Sequence, residues 1–425
     1  MSKRRRKAGG RRWPSAHRGR PPGPHRALED LAGKLLQDGA ELATLDDPLR
    51  VEFEVSGFLA LIRMVAGDDP EPVLTEVLVP RLERAGTPVA RALLLAMAAL
   101  SGADLARACR EASDRLGRAV VPGPPWEPEV GHPRFAGAWR STEAYGDQYG
   151  LLILLEYPPR RPHLVTAIID HNLGGIVKDA SVAEDGPGVL ARWRSAPELT
   201  LTPVTAEEAG LTLLRAVQET DRTIDAPITD GSVGMRSLLA AVARRMAGVE
   251  AAPAEEPPQP MSPEERDRLA EEFLASREAG GLPPAAGEVV DTLITYRAEW
   301  AGDDPLRWSP TVVELFLLDW IPRKAILDED ALGAVPDTVR AWVRFAGQRR
   351  GLAKDLVKET AAAVDRFEAE FRRAARDETA ASPAKSLVRA MQREGVDPTD
   401  RDAVARWVED FNTRPYEERR RLTGG

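Results

Sequence analysis

The chain holds one cysteine in 425 residues, Cys109. A disulfide within the chain is therefore excluded, and so is a zinc site built on cysteine pairs. Aromatic residues are scarce, at 5%. No long apolar run is present: the best stretch, Ala90 to Leu100, is interrupted by Arg91 and is far shorter than the roughly 20 residues a membrane helix needs. The basic start is not followed by an apolar segment of about 7 to 15 residues, so a secretory signal is not expected. The glycine-rich phosphate loops, HExxH and GxSxG are all missing. These absences point to a cytoplasmic protein with no membrane partner, no cofactor and no standard catalytic apparatus.

Acidic residues are missing from one place in particular. Residues 1–28 contain ten Lys or Arg side chains and no Asp or Glu, whereas the remainder carries 48 basic against 67 acidic residues, a net charge of −19. A basic arm thus precedes an acidic body. Pro14, Pro21, Pro22, Pro24 and four glycines interrupt the arm, which is expected to be disordered. Lys3, Arg4, Arg5, Arg6, Lys7, Arg11 and Arg12 are its candidate nucleic-acid contacts. Phosphate contacts of this kind bind with steep salt dependence and little sequence discrimination. The same composition also suits a solvated tail that keeps the chain soluble.

Hydrophobic residues make up 43%, enough for real cores, and the abundance of Ala, Leu, Glu and Arg favours helix. Residues 29–121 read as a helical bundle. Asp-Asp-Pro at 46–48 and at 68–70, and Gly-Thr-Pro at 86–88, punctuate four of its helices. Prolines at 122, 124, 125 and 128 mark a connection that Trp126 is expected to pin down.

The period then changes. Gly150–Tyr157, Leu164–Asp170 and Ile176–Val182 are apolar or β-branched runs joined by short turn-forming segments. They predict an antiparallel meander within an α+β unit, residues 122–247, with residues 198–204 as an added edge strand. The first two strands are apolar on both faces and should be central, covered by helices near 188–195, 206–219 and 233–246. At the meander tip stand Asp170, His171, Asn172, Gly174, Gly175 and Lys178, with Tyr145, Asp147, Gln148 and Tyr149 upstream. Asp170 and His171 suit a ligand site or an acid–base pair, and the glycines would let backbone amides approach an anion. Asn-Leu-Gly-Gly equally satisfies what a tight turn requires.

Residues 248–261 are a Pro/Ala/Glu linker. Ser262, Pro263 and Glu265 then open residues 262–425, a C-terminal helical domain, with a capping box. It carries five of the nine tryptophans, as expected of a Trp-rich core or a partner groove.

Three segments, Gly333–Phe345 (GAVPDTVRAWVRF), Ala384–Pro415 and Asp170–Asp179 (DHNLGGIVKD), are similar to those of a group of uncharacterised high-GC actinobacterial proteins with a C-terminal helical region. The resemblance covers 55 of 425 residues and implies a bacterial origin and no functional residues.

The fold class expected is mainly α with a central α+β unit: an N-terminal helical bundle, an antiparallel β-meander covered by helices, and a C-terminal helical domain. The function expected is a non-enzymatic binding or adaptor protein that meets nucleic acid through its arm. Two alternatives stand beside it: an enzyme or small-ligand binder with its site at 170–179, and a protein–protein scaffold using the helical domains.

Overall fold

A computed structural model describes residues 24–66, 70–254, 261–301, 304–377, 382–397 and 400–423. Lys3, Arg4, Arg5, Arg6, Lys7, Arg11 and Arg12 lie outside the described residues. One correction falls at their border. Helix begins at Pro24, so residues 24–28, expected to be disordered, are helical. Proline's fixed φ suits a first helical position, and Leu31, Leu35 and Leu36 supply the periodicity.

The fold is mainly α around one antiparallel sheet. The bundle helices run Pro48–Ala66, Pro88–Leu100 and Ala103–Arg118, with a further helical stretch between Pro70 and Ala85 that passes through a π-turn at Leu74–Leu78. Thr87 caps its helix by accepting from the Ala90 amide at 3.1 Å. Trp126 does pin the proline-rich connection: it is fully buried, and its indole donates to Leu42 O at 2.7 Å.

The sheet has five strands: β1 Arg134–Thr142, β2 Gln148–Glu156, β3 His163–Asp170, β4 Ile176–Ala183 and β5 Thr200–Val204, in the order β4-β3-β2-β1-β5. The meander of β2, β3 and β4 and the edge strand β5 match the expected elements. Strand β1 does not: its segment, RFAGAWRST, alternates poorly and carries Gly137, where the β1–β2 register shifts. A Cβ at Gly137 would lie 2.7 Å from the Trp139 indole, so the glycine makes room for that ring.

The helices Ala206–Arg222 and Asp230–Ala247 cover one face of the sheet, and Gly186–Ser195 covers the other. Leu151, Ile153, Val165 and Ala167 belong to one continuous core with Leu49, Val55, Leu59 and Leu93 of the bundle. A buried carboxylate joins these parts. Glu52 accepts from the Tyr157 hydroxyl and the Gly131 amide, both at 2.7 Å, and from Arg245 at 3.1 Å.

The C-terminal helices pack on a separate core centred on Phe273, Trp308, Phe316 and Trp342. Ser262 and Glu265 form the expected capping box. Pro322 occupies the second position of the segment Ile321–Lys324, which continues the chain of Pro310–Glu314 and Leu315–Trp320. The next helix starts at Glu329, where Asp328 caps the Ala331 amide at 2.7 Å. Trp308 and Trp342 are fully buried, in keeping with a Trp-rich core.

Candidate functional site

Strand β2 begins at Gln148 and β3 ends at Asp170, so the tip residues gather at one end of the sheet. Asp170 accepts from the Asn172 amide at 2.9 Å, from Gln148 Nε2 at 2.7 Å and from Lys178 Nζ at 2.8 Å. It is buried and its oxygens are spent on closing the turn. That makes Asp170 and Lys178 structural partners of each other, rather than an acid–base pair with His171. Among the described residues no group of His, Cys, Asp or Glu side chains is placed to hold a metal.

Gly174 and Gly175 both have positive φ, +80° and +85°. Only glycine adopts two such residues in succession without strain. Their amides turn inward, to His171 O at 3.3 Å and Asp170 O at 2.8 Å. The expectation that these amides meet an anion is therefore corrected: the turn itself consumes them.

Asn172 faces the C-terminal domain. Its Oδ1 accepts from Arg307 Nη2 at 2.9 Å, while Arg307 Nη1 donates to Asp147 Oδ1 at 2.8 Å and to Gly146 O at 3.1 Å. Arg307 is only 5% exposed. A guanidinium held by a carboxylate, an amide and a carbonyl is a specific planar clasp. Tyr145 adds a second contact, donating from its hydroxyl to Glu359 at 2.9 Å. Burial first, then the Glu359 and Glu143 carboxylates, push that phenol up to about 12. Half of the predicted tip thus docks one domain on the other.

The other half opens on a cleft of about 690 Å³. His171, Gly174, Gly175, Gln148 and Tyr149 line one side. Arg140 of β1, Arg215, Glu219 and Arg222 of the helix Ala206–Arg222, and Ala252–Ala254 also line the cleft. The His171 and Tyr149 ring centroids are 5.0 Å apart, and the Arg140 guanidinium lies 5.4 Å from the Tyr149 centroid. Arg140 meets Glu208 at 3.3 Å and Arg222 meets Glu219 at 3.5 Å; both pairs are exposed and weakly held. The cleft therefore gathers three guanidinium groups around one lining carboxylate beside a flat aromatic face.

Sequence reasoning missed the three arginines. The signal was present in part: Thr212, Arg215, Glu219 and Arg222 recur at helical spacing and share one helix face. Arg140 gave no signal, because it lies on the unrecognised strand.

No protein-family model, no curated protein and no solved structure matches the chain.

Proposed function

We propose that the protein is a non-enzymatic binding protein whose cleft at the meander tip takes a small ligand bearing a phosphate or carboxylate group. The carrying observation is the gathering of Arg140, Arg215 and Arg222 around that cleft, in a body whose net charge repels anions. A local excess of guanidinium focuses anions where the rest of the surface disperses them. The rings of Tyr149 and His171 add a face on which a planar base would stack. Adenosine monophosphate combines both features and is the first probe. Calorimetry should give saturable binding that Arg222→Gln weakens at least tenfold, because a charge-assisted hydrogen bond contributes about 1.5–3 kcal/mol. Binding that is absent, or unchanged in the variant, rejects the reading.

A second reading rests on the arm. It holds that residues 1–28 associate with nucleic acid without sequence preference in the cytoplasm, and ten basic side chains with no acidic one support it. Deleting residues 1–23 keeps the helix that starts at Pro24 and removes all but Arg26 of those cations. If the nine removed cations all meet phosphates of duplex DNA, log K falls with log salt at a slope near −8. Loss of binding on truncation supports the arm; binding that survives it excludes the arm.

A further inference from the structure

A second, smaller pocket lies on another face of the helix Ala206–Arg222, which also lines the arginine cleft. It sits in the seam where the bundle helix Pro48–Ala66 meets the helices Ala206–Arg222 and Asp230–Ala247, beside the edge strand β4. Its volume is about 180 Å³. Ala60, Val177, Val217, Val233 and Leu239 make its walls apolar, and Met64, 75% exposed, stands among the lining residues.

The polar groups of this pocket divide sharply. Ser232 donates its hydroxyl to Val177 O at 2.7 Å. Thr220 donates to Ala216 O at 2.7 Å and accepts from the Val177 amide at 2.9 Å. Arg236 and Asp221 pair with each other. Two groups are left over. The Ser237 hydroxyl is buried with no hydrogen-bond partner, and Arg63, whose Nε is buried, makes no hydrogen bond or ion pair among the described residues. A buried donor without an acceptor forfeits the hydrogen bond it made to water, and a half-buried cation loses more. Burial, and next to it the charge of Arg236, push the Arg63 guanidinium down to about 10, so it stays cationic at neutral pH. Asp221 and Glu71 are the opposing charges that act on it from nearby, and Asp221 is already engaged by Arg236.

An apolar pocket that contains one unmatched cation and one unmatched hydroxyl describes its own ligand. We propose that this pocket binds a small free carboxylate with an aliphatic body, of about six to eight non-hydrogen atoms given the space a water-sized group fills. The carboxylate would accept from Arg63 and Ser237, and the chain would lie among the valines and Leu239. This site shares no lining residue with the arginine cleft, and the inference does not depend on the function proposed for that cleft.

Butyrate and hexanoate are the probes, with 1-hexanol as a chain of the same length without charge. The full protein is labelled with ¹³C at its methionine methyl groups, and Met64 serves as the local reporter. Hexanoate is expected to shift the Met64 methyl resonance saturably and to bind about 15-fold more tightly than butyrate, at roughly fourfold per methylene. Arg63→Leu should weaken hexanoate at least tenfold while leaving 1-hexanol within twofold. The same variant should melt no lower than the parent, since it removes a cation that makes no hydrogen bond or ion pair among the described residues. Arg63 also suits the C-terminal turn of its helix, and a role confined to that would leave hexanoate binding untouched. Ser237→Ala, a change of one hydroxyl, provides an independent arm and should weaken hexanoate several-fold. The proposal is overturned if Met64 shows no saturable shift. It also fails if 1-hexanol binds as tightly as hexanoate, or if both variants bind hexanoate like the parent.

Discussion

Replacing Glu52 by alanine should destabilise the bundle and the sheet together. Glu52 is fully buried and is the common acceptor for Tyr157 on the sheet side, Gly131 in the connection and Arg245 on the helix Asp230–Ala247. Alanine leaves a hydroxyl, an amide and a guanidinium facing a vacated site. Removing one partner of a buried ion pair costs about 3–5 kcal/mol, because the remaining charge stays desolvated. For a unit of this size that corresponds to a fall in Tm of roughly 10 °C. Glu52→Gln keeps the volume and one acceptor but loses the charge opposite Arg245, so its cost should be smaller and still measurable. Urea titration followed by tryptophan fluorescence and by far-ultraviolet circular dichroism is the assay. Because the bundle and the sheet share one core, both signals should shift together to lower urea. A cost below about 1 kcal/mol, or a shift in one signal alone, would refute the reasoning.

Three further outcomes follow from single contacts. Arg307→Ala removes the clasp on Asp147, Gly146 and Asn172, so hydrogen exchange of the His171–Gly175 amides should accelerate at least tenfold; unchanged exchange would mean the clasp is incidental. Burial opposes ionisation of Asp47, but the hydrogen bond and charge of His163 and the amides of Arg50 and Leu49 outweigh it and hold the carboxyl below 3.8. The stability this adds is present above about pH 4 and is lost as pH falls through the lower folded value, so Asp47→Asn should flatten the acid limb of a pH–Tm profile. Burial pushes the Cys109 thiol up to about 12, so a disulfide reagent at pH 8 should label it only as fast as the core opens, and rapid labelling of the native protein would contradict its burial.

The elements with strong local signals were legible in the sequence. The runs Gly150–Tyr157 and Leu164–Asp170 are apolar on both faces and became β2 and β3, inside the sheet. Ser262, Pro263 and Glu265 announced a helix start, and the capping box is there. What escaped lacked a local signal. Strand β1 contains Gly137 and Arg140 and is held by pairing on both edges, with β2 and β5, rather than by its own propensity. The common core of bundle and sheet depends on Glu52 meeting partners 105 and 193 residues away, which no periodicity encodes. Pro322 and Pro336 both lie within helical segments, where tertiary packing carries the helix past a residue that disfavours it. The cleft was half legible for the same reason. His171, Gly174 and Gly175 cluster in sequence, whereas Arg140, Arg215 and Arg222 converge only once β1 pairs and the helix Ala206–Arg222 packs beside it.

The most direct test of the anion-binding cleft is nuclear magnetic resonance of arginine side chains. Protein labelled with ¹⁵N at Arg Nε is titrated with adenosine monophosphate, and the signals of Arg140, Arg215 and Arg222 are assigned by substitution. Saturable shifts confined to those three arginines, with one shared Kd, are the predicted result. Shifts spread over surface arginines without saturation, or none at these three, would contradict the account.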